Sequence, residues 1–221
     1  MIKNPKILSN DQVKFLDIFV KTKSFSRKYY LTGGTTLTEF YIPYRYSEDL
    51  DFFSETEIDV SEITTFLKSI KKSLEYKTFD IKTSFNRNIV MLSFRDYDLK
   101  LEFTYFPFPR IDETNIVDGL KIDSVKDIAV NKLFTIYQNP RSRDFIDLYM
   151  INMKYDYEII DLVKLAKIKF DWHVDLVQLG SQFLKSTELK DYPRLITKLD
   201  EKKWQKYFLE EANRLSNDIL K

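Results

Sequence analysis

The chain has 221 residues, 43% hydrophobic and 31% charged, which is enough apolar material for a packed core and too much for a disordered segment. Thirty-five Lys and Arg against 34 Asp and Glu leave a net charge of +1, which excludes a uniformly basic nucleic-acid coat; a polyanion would have to meet a local patch. Cysteine is absent and His173 is the single histidine, so disulfides, thiolate zinc sites, cysteine nucleophiles and multi-histidine metal sites are excluded. Carboxylates, hydroxyls, lysines and hard cations are left to carry any chemistry.

The opening MIKNPKILSNDQVKF has no apolar run of signal-peptide length, and no window approaches the roughly 18 apolar residues of a membrane span. The expectation is a cytoplasmic protein that does not enter a membrane. Val13, Leu16, Phe19 and Val20 predict an amphipathic helix over 11–22. A short β-prone run, Tyr29–Leu31, leads to Gly33-Gly34, and 35–41 reads as a helix closed near Pro43. Only four glycines occur in the whole chain, and placing two of them together implies that bare backbone is needed there.

After a polar link, DLDFF at 49–53 reads as a strand. Ile63, Phe66, Leu67, Ile70 and Leu74 predict a helix over 59–76. Three β-like runs follow at 78–85, 88–94 and 99–106, the last two joined by a hairpin at Arg95–Asp98. Pro107, Pro109 and the polar stretch to Gly119 read as a linker. Ser124-Val125-Lys126-Asp127 resembles a capping box opening a helix to about 137. Helical patterns continue over 142–153, 156–170, 174–185 and 201–220. The expected plan is an α/β lobe over 1–118 and a helical lobe over 119–221.

Three constellations carry possible chemistry. In the first, LTGGTTL at 31–37 is followed by RYSEDLDFF at 45–53. A strand ending in two glycines before a helix lets a phosphate approach backbone N–H groups. Alternation on the next strand puts Asp49 and Asp51 on one face, with Leu50 and Phe52 on the other. Two carboxylates projecting together suit Mg²⁺, which takes oxygen ligands and often completes its shell with substrate phosphates. The bland reading of the same residues is a tight turn and a solvated edge strand.

This order of elements resembles the minimal nucleotidyltransferase fold shared with DNA polymerase beta, a mixed sheet followed by a helical lobe. More narrowly, GGTTL, RYSEDLDFF and a downstream segment resemble the AbiEii-like nucleotidyltransferase toxins of type IV toxin–antitoxin pairs. A two-metal site of that kind needs a third acid on a neighbouring strand. Glu102 is the candidate, sharing a face of LKLEFTYF with Lys100 and Thr104; the family often has Asp in that slot. A solvent-facing Glu is the plain alternative, and Asp96 and Asp98 are weaker rivals in the proposed turn.

The third constellation, NKLFTIY at 131–137 with RSRDFIDLY at 141–149, resembles the family's K…RDxxDL motif, although Asn139 stands where the family often has a basic residue. Asp144 and Asp147 fall on one helix face. By the resemblance, Lys132 reaches a triphosphate and a nearby carboxylate fixes it or the sugar. An inter-helix ion-pair cluster is the competing reading. His173 reads as a packing or capping residue, Lys68, Lys71 and Lys72 as a wet helix face, and Trp204, Phe208, Ala212, Leu215 and Ile219 as core.

The resemblance implies an Mg²⁺-dependent nucleotidyltransferase toxin. Asp49, Asp51 and Glu102 would hold two metals. Gly33, Gly34, Thr35, Arg45, Ser47, Lys132 and Asp147 would bind a nucleoside triphosphate, with Lys132 and Asp144 among the catalytic set. It also implies an RNA acceptor, a tRNA 3′ end, and a cognate antitoxin as partner. A metal-dependent nuclease, a catalytically silent interaction protein and transfer to a protein hydroxyl are the alternatives.

Overall fold

The structure, a computed structural model, describes residues 5–219. They form two compact units. One is built from the chain up to Pro43, Ser47–Phe108 and Glu113–Ser124; the other comprises Tyr44–Tyr46, Pro109–Asp112 and the chain from Val125 onward.

In the first unit, α1 (Asn10–Lys21) starts at a capping box in which Ser9 and Gln12 satisfy each other's backbone N–H groups. A short α2 (Lys23–Lys28) leads into β1 (Tyr30–Thr32). Then α3 (Gly33–Thr36) runs on into a π-helical turn, Leu37–Tyr41. Next come β2 (Leu50–Ser54), α4 (Val60–Leu74), the antiparallel strands β3 (Thr78–Ser84), β4 (Arg87–Ser93) and β5 (Asp98–Tyr105), and a hairpin of β6 (Asn115–Val117) and β7 (Leu120–Ile122). The sheet order is β3-β4-β5-β2-β1-β7-β6, with β2–β5 and β1–β7 parallel and the other neighbours antiparallel.

The stretch read as a linker therefore contains a strand, β6, and leads straight into β7. Its hairpin is recruited by β7, which pairs beside β1 through Leu31 and Ile122, while the Asp123 N–H donates to the Leu31 carbonyl at 2.8 Å. One sheet face carries the core. Leu50, Phe52, Leu101 and Phe103 are fully buried, and Phe52 stacks on Phe19 of α1 and on Phe103, while Phe15 of α1 meets Phe66 of α4 edge-on. Because side chains alternate along a strand, Asp51, Lys100, Glu102 and Thr104 are sent to the opposite face.

The second unit is helical: α5 (Val125–Gln138), α6 (Ser142–Tyr155), α7 (Ile159–Phe170), α8 (Leu176–Leu184) and α9 (Glu201–Ile219). Phe145 packs with Phe183, Trp204 and Phe208 at its centre. Asp127, expected to serve a capping box, accepts the Ile111 and Asp112 N–H groups at 2.8 and 2.9 Å and pairs with the buried Lys169 at 2.6 Å. Residues 109–112 are thereby fastened to the helical unit. No helix among the described residues is long and apolar enough to cross a membrane.

Candidate active site

The turn from β1 into α3 explains its glycines. Gly33 has φ +75°, a left-handed conformation that L side chains rarely adopt, and a Cβ there would lie 2.5 Å from Asp51 Oδ2. Any side chain at 33 would be strained and would press on a carboxylate. Behind the turn, the Thr36 hydroxyl donates to the Thr32 carbonyl and the Thr38 hydroxyl to the Gly34 carbonyl, both at 2.9 Å. Thr35, fully buried, has its Oγ1 2.8 Å from Ser47 Oγ and donates to the Asp49 carbonyl. The GGTT segment and the loop entering β2 are thus tied together at the backbone of the first acid.

Register brings two acids together. Asp51 on β2 stands directly opposite Glu102 on the parallel neighbour β5, and opposite Thr32 on β1. Asp49, just before β2, pairs through Oδ2 with Lys100 Nζ at 2.6 Å, each side chain 31% exposed. Glu102 is clamped by Arg87: Nε donates to Oε1 at 2.6 Å and a terminal guanidinium nitrogen to Oε2 at 2.7 Å, while the Thr104 hydroxyl donates to Oε1 at 3.0 Å. Burial pushes the Glu102 carboxyl up, but the hydrogen bonds and charge of Arg87 outweigh it and hold the group below the ordinary carboxylate range. Arg87 is raised in turn, chiefly by its hydrogen bonds to Glu102, and the charge of Asp51 acts on it as well.

Among the described residues no group of three or more histidines, aspartates or glutamates is arranged to hold a metal ion. Asp49 and Asp51 carry the kind of oxygen ligand that Mg²⁺ takes, since that ion is commonly held by one or two carboxylates together with substrate phosphates. Both oxygens of Glu102 are already spoken for by Arg87.

The helical unit holds the third constellation. Lys132 on α5 pairs with Asp144 at 2.7 Å and Asp147 at 2.6 Å, both on α6. Asp147, wholly buried, also takes Arg45 Nε at 2.7 Å, a terminal guanidinium nitrogen at 2.9 Å, and the Tyr44 hydroxyl. Asp144 takes Arg141 Nε at 3.0 Å. Three cations against two carboxylates leave this network one net positive charge. Burial alone would raise the Asp147 carboxyl; Arg45 and Lys132 hold it far below the usual range. Burial would likewise lower Lys132, and Asp144 and Asp147 raise it instead. Arg45 belongs to this unit because its segment is stitched there by backbone bonds: Tyr46 N–H to the Arg194 carbonyl at 2.9 Å and Ile196 N–H to the Tyr44 carbonyl at 2.8 Å.

Comparison with known proteins decides the family. The profile of the family described as nucleotidyl transferase AbiEii toxin, type IV TA system, matches residues 14–219. The chain belongs to that family. Its fold is shared with the crystal structure of JHP933 from Helicobacter pylori, with a TM-score of 0.62 and 23% identity over 95% of this chain and 91% of that one. A candidate nucleotidyltransferase of H. pylori matches equally, at 0.62 and 23%, over 96% and 97%. An uncharacterized protein of Aquifex aeolicus is 29% identical over 144 residues, 64% of this chain and 66%, just under two thirds, of that relative. The family so described is one of nucleotidyltransferase toxins of type IV toxin–antitoxin systems.

Set against the sequence expectations, the structure joins Gly33, Thr35, Ser47, Asp49, Asp51 and Glu102 within the sheet unit of this AbiEii toxin, and Arg45, Lys132, Asp144 and Asp147 within the helical unit. His173 is exposed. The sequence reading did not single out Arg87, Lys100 or Tyr44. Arg87 shares a strand face with Glu102 only once the β4–β5 register is fixed, and that pairing leaves no local signature. Alternation already puts Lys100 on the face of Glu102; its pairing with Asp49 depends on the β2–β5 register, which the sequence does not show.

Proposed function

We propose that this AbiEii toxin transfers a nucleotidyl group from a nucleoside triphosphate to the 3′ end of a tRNA with the help of Mg²⁺, and that its cognate antitoxin restrains this reaction. The observation supporting it most strongly is the packing of Gly33 against the Asp51 carboxylate, which brings a backbone open to phosphate beside an acid that suits a hard cation.

Asp49 and Asp51 would hold the cation, which when bound lowers the pKa of the acceptor hydroxyl and neutralises charge on the leaving pyrophosphate. Gly33 and Gly34 offer backbone N–H groups to the phosphates. Thr35 fixes the loop that carries Ser47 and Asp49. Arg45 and Lys132 supply positive charge, held by Asp147 and Asp144 in orientations set before substrate arrives. The acceptor oxygen attacks the α-phosphorus, the bond to the β-phosphate oxygen breaks, pyrophosphate leaves and the hydroxyl proton passes to solvent. Positioning and electrostatics supply most of the rate in such chemistry.

The test incubates the purified protein with total RNA, Mg²⁺ and each nucleoside triphosphate labelled at the α- or γ-phosphate. Label from the α-position appearing on tRNA-sized RNA is the expected result. Transfer of γ-label would identify a kinase, α-label on protein would move the acceptor, and shortening of RNA would identify a nuclease.

A further inference from the structure

We propose that Glu102 is a positioning residue for Arg87 rather than a third metal ligand, and that Arg87 presents its guanidinium to a phosphate at the acid face. The inference rests on the nucleotidyltransferase reading of that face. Arg87 begins β4, opposite Thr104 on β5, and reaches diagonally along the strand pair to Glu102. Diagonal neighbours on one sheet face are close enough for long side chains to meet.

Both carboxylate oxygens are used, at 2.6 and 2.7 Å, and Thr104 adds a third hydrogen bond to Oε1. The Glu102 side chain is 8% exposed whereas that of Arg87 is 55% exposed. A metal drawing on Glu102 would have to break a fork-to-fork, charge-assisted pair and leave a guanidinium without its anion. Such pairs are among the stronger hydrogen bonds in proteins.

The geometry of Arg87 points the other way, toward a ligand. A guanidinium has five N–H donors, and Glu102 takes two of them. The donors left over belong to a side chain that is more than half exposed and close enough to Asp51 for that charge to act on it. The planar fork matches the oxygens of a phosphate, and arginine keeps its charge at every working pH. Glu102 holds one edge and fixes the rotamer; the other edge stays available beside the acid pair. That phosphate belongs either to the triphosphate or to the backbone of the RNA acceptor, and the two share the same recognition chemistry.

The test uses the full chain with Arg87→Ala, Arg87→Lys and Glu102→Gln, each first checked for an unchanged melting profile. Three binding constants are measured without turnover: Mn²⁺ by electron paramagnetic resonance, inorganic tripolyphosphate by calorimetry, and tRNA-sized RNA by fluorescence anisotropy. Arg87→Ala is expected to weaken tripolyphosphate or RNA binding about ten- to a hundred-fold, and the ligand affected names the source of the phosphate. Glu102→Gln should reproduce much of that loss while Mn²⁺ affinity stays within about two-fold of wild type, and Arg87→Lys should recover part of it. A fall in Mn²⁺ affinity of about ten-fold or more in Glu102→Gln would return Glu102 to the metal and overturn the proposal. So would Arg87→Ala binding both polyanions like wild type, or wild type binding neither. Because no readout depends on turnover, failure of nucleotidyl transfer would count against the reaction proposed above and leave this assignment to be judged by binding.

Discussion

Lys100–Asp49 in the sheet unit and Lys132–Asp147 in the helical unit are ion pairs of the same length, 2.6 Å. They differ in everything that sets their energy. The first pair is 31% exposed on both sides; in the second the lysine side chain is 12% exposed and the aspartate not at all. Lys100 meets Asp49 where solvent still reaches both side chains, so Coulomb attraction is partly screened and the pair exchanges partners more cheaply. Asp147 has lost its water and been given a lysine, a bidentate arginine and a tyrosine hydroxyl in its place. The acid face is built to change ligands, and the helical network is built to stay as it is. Distance alone separates neither; burial and the number of partners do.

That contrast is broken most severely at the acids themselves. Asp49→Ala and Asp51→Ala should each reduce nucleotidyl transfer by on the order of 10²–10³-fold or more while the protein stays folded, since each removes half of the carboxylate pair that suits a divalent cation. Measuring turnover alongside a melting curve checks both halves of the statement. A variant with near-native activity would take the chemistry away from β2.

In the helical unit the signs are reversed. Asp147→Ala strands Arg45 and Lys132 with a buried positive charge, and losing one member of such a network costs roughly 3–5 kcal/mol. Chemical denaturation should show the loss directly, whatever happens to activity. The same residue gives a pH signature. Its carboxyl lies far below the ordinary range in the folded chain because Arg45 and Lys132 overcome the effect of burial. Its stabilisation is therefore fully present above the unfolded value of about 3.9 and is lost as the pH falls below it. Asp147→Asn should flatten that acid limb. An acid limb as steep as in wild type would mean that other carboxylates govern it.

Much of this was legible in advance, and the failures have a common cause. Alternation in DLDFF placed Leu50 and Phe52 in the core and the acids opposite, because one buried face fixes a strand's orientation. Helical periodicity likewise found α4, whose apolar stripe is buried residue for residue. Non-local pairing was not legible. Prolines at 107 and 109 signalled a linker, yet β7 finds β1 some ninety positions earlier in the chain through Leu31 and Ile122. Arg45 stands two positions before Ser47, yet its guanidinium pairs with Asp147, 102 residues away, a contact that the local sequence does not announce. Arg87 was invisible for the same reason: only the β4–β5 register tells which acid it can reach.

Gly33→Ala comes next in size. The left-handed backbone costs a non-glycine residue about 1–2 kcal/mol, and the new methyl would sit 2.5 Å from Asp51 Oδ2 unless that carboxylate moves. A modest drop in stability with a disproportionate drop in activity is expected. Gly34→Ala serves as the comparison, since no left-handed conformation is recorded there. Equal effects of the two substitutions on activity would show that the Asp51 contact is not what matters.

The smallest effect is expected at Lys100, and it tests the opening contrast most finely. Replacing this lysine by methionine keeps most of the stem and removes the charge, so a pair partly exposed on both sides should cost only about 0–1 kcal/mol of stability. The carboxylate of Asp49 then has no ammonium to give up before it can accept a divalent cation. Mn²⁺ affinity should accordingly rise, by roughly the few-fold that 0.5–1 kcal/mol represents. If Lys100 also touches a phosphate, the tighter metal binding will come with weaker tripolyphosphate binding, and the two constants will move in opposite directions. The matching change in the helical unit, Lys132→Met, should do the reverse of all this: a clear loss of stability, because Asp144 and Asp147 are buried, and no gain in metal affinity. Should Lys100→Met destabilise the chain as much as Lys132→Met, burial would not be what separates two ion pairs of equal length, and the distinction between an exchangeable acid face and a fixed helical network would have to be given up.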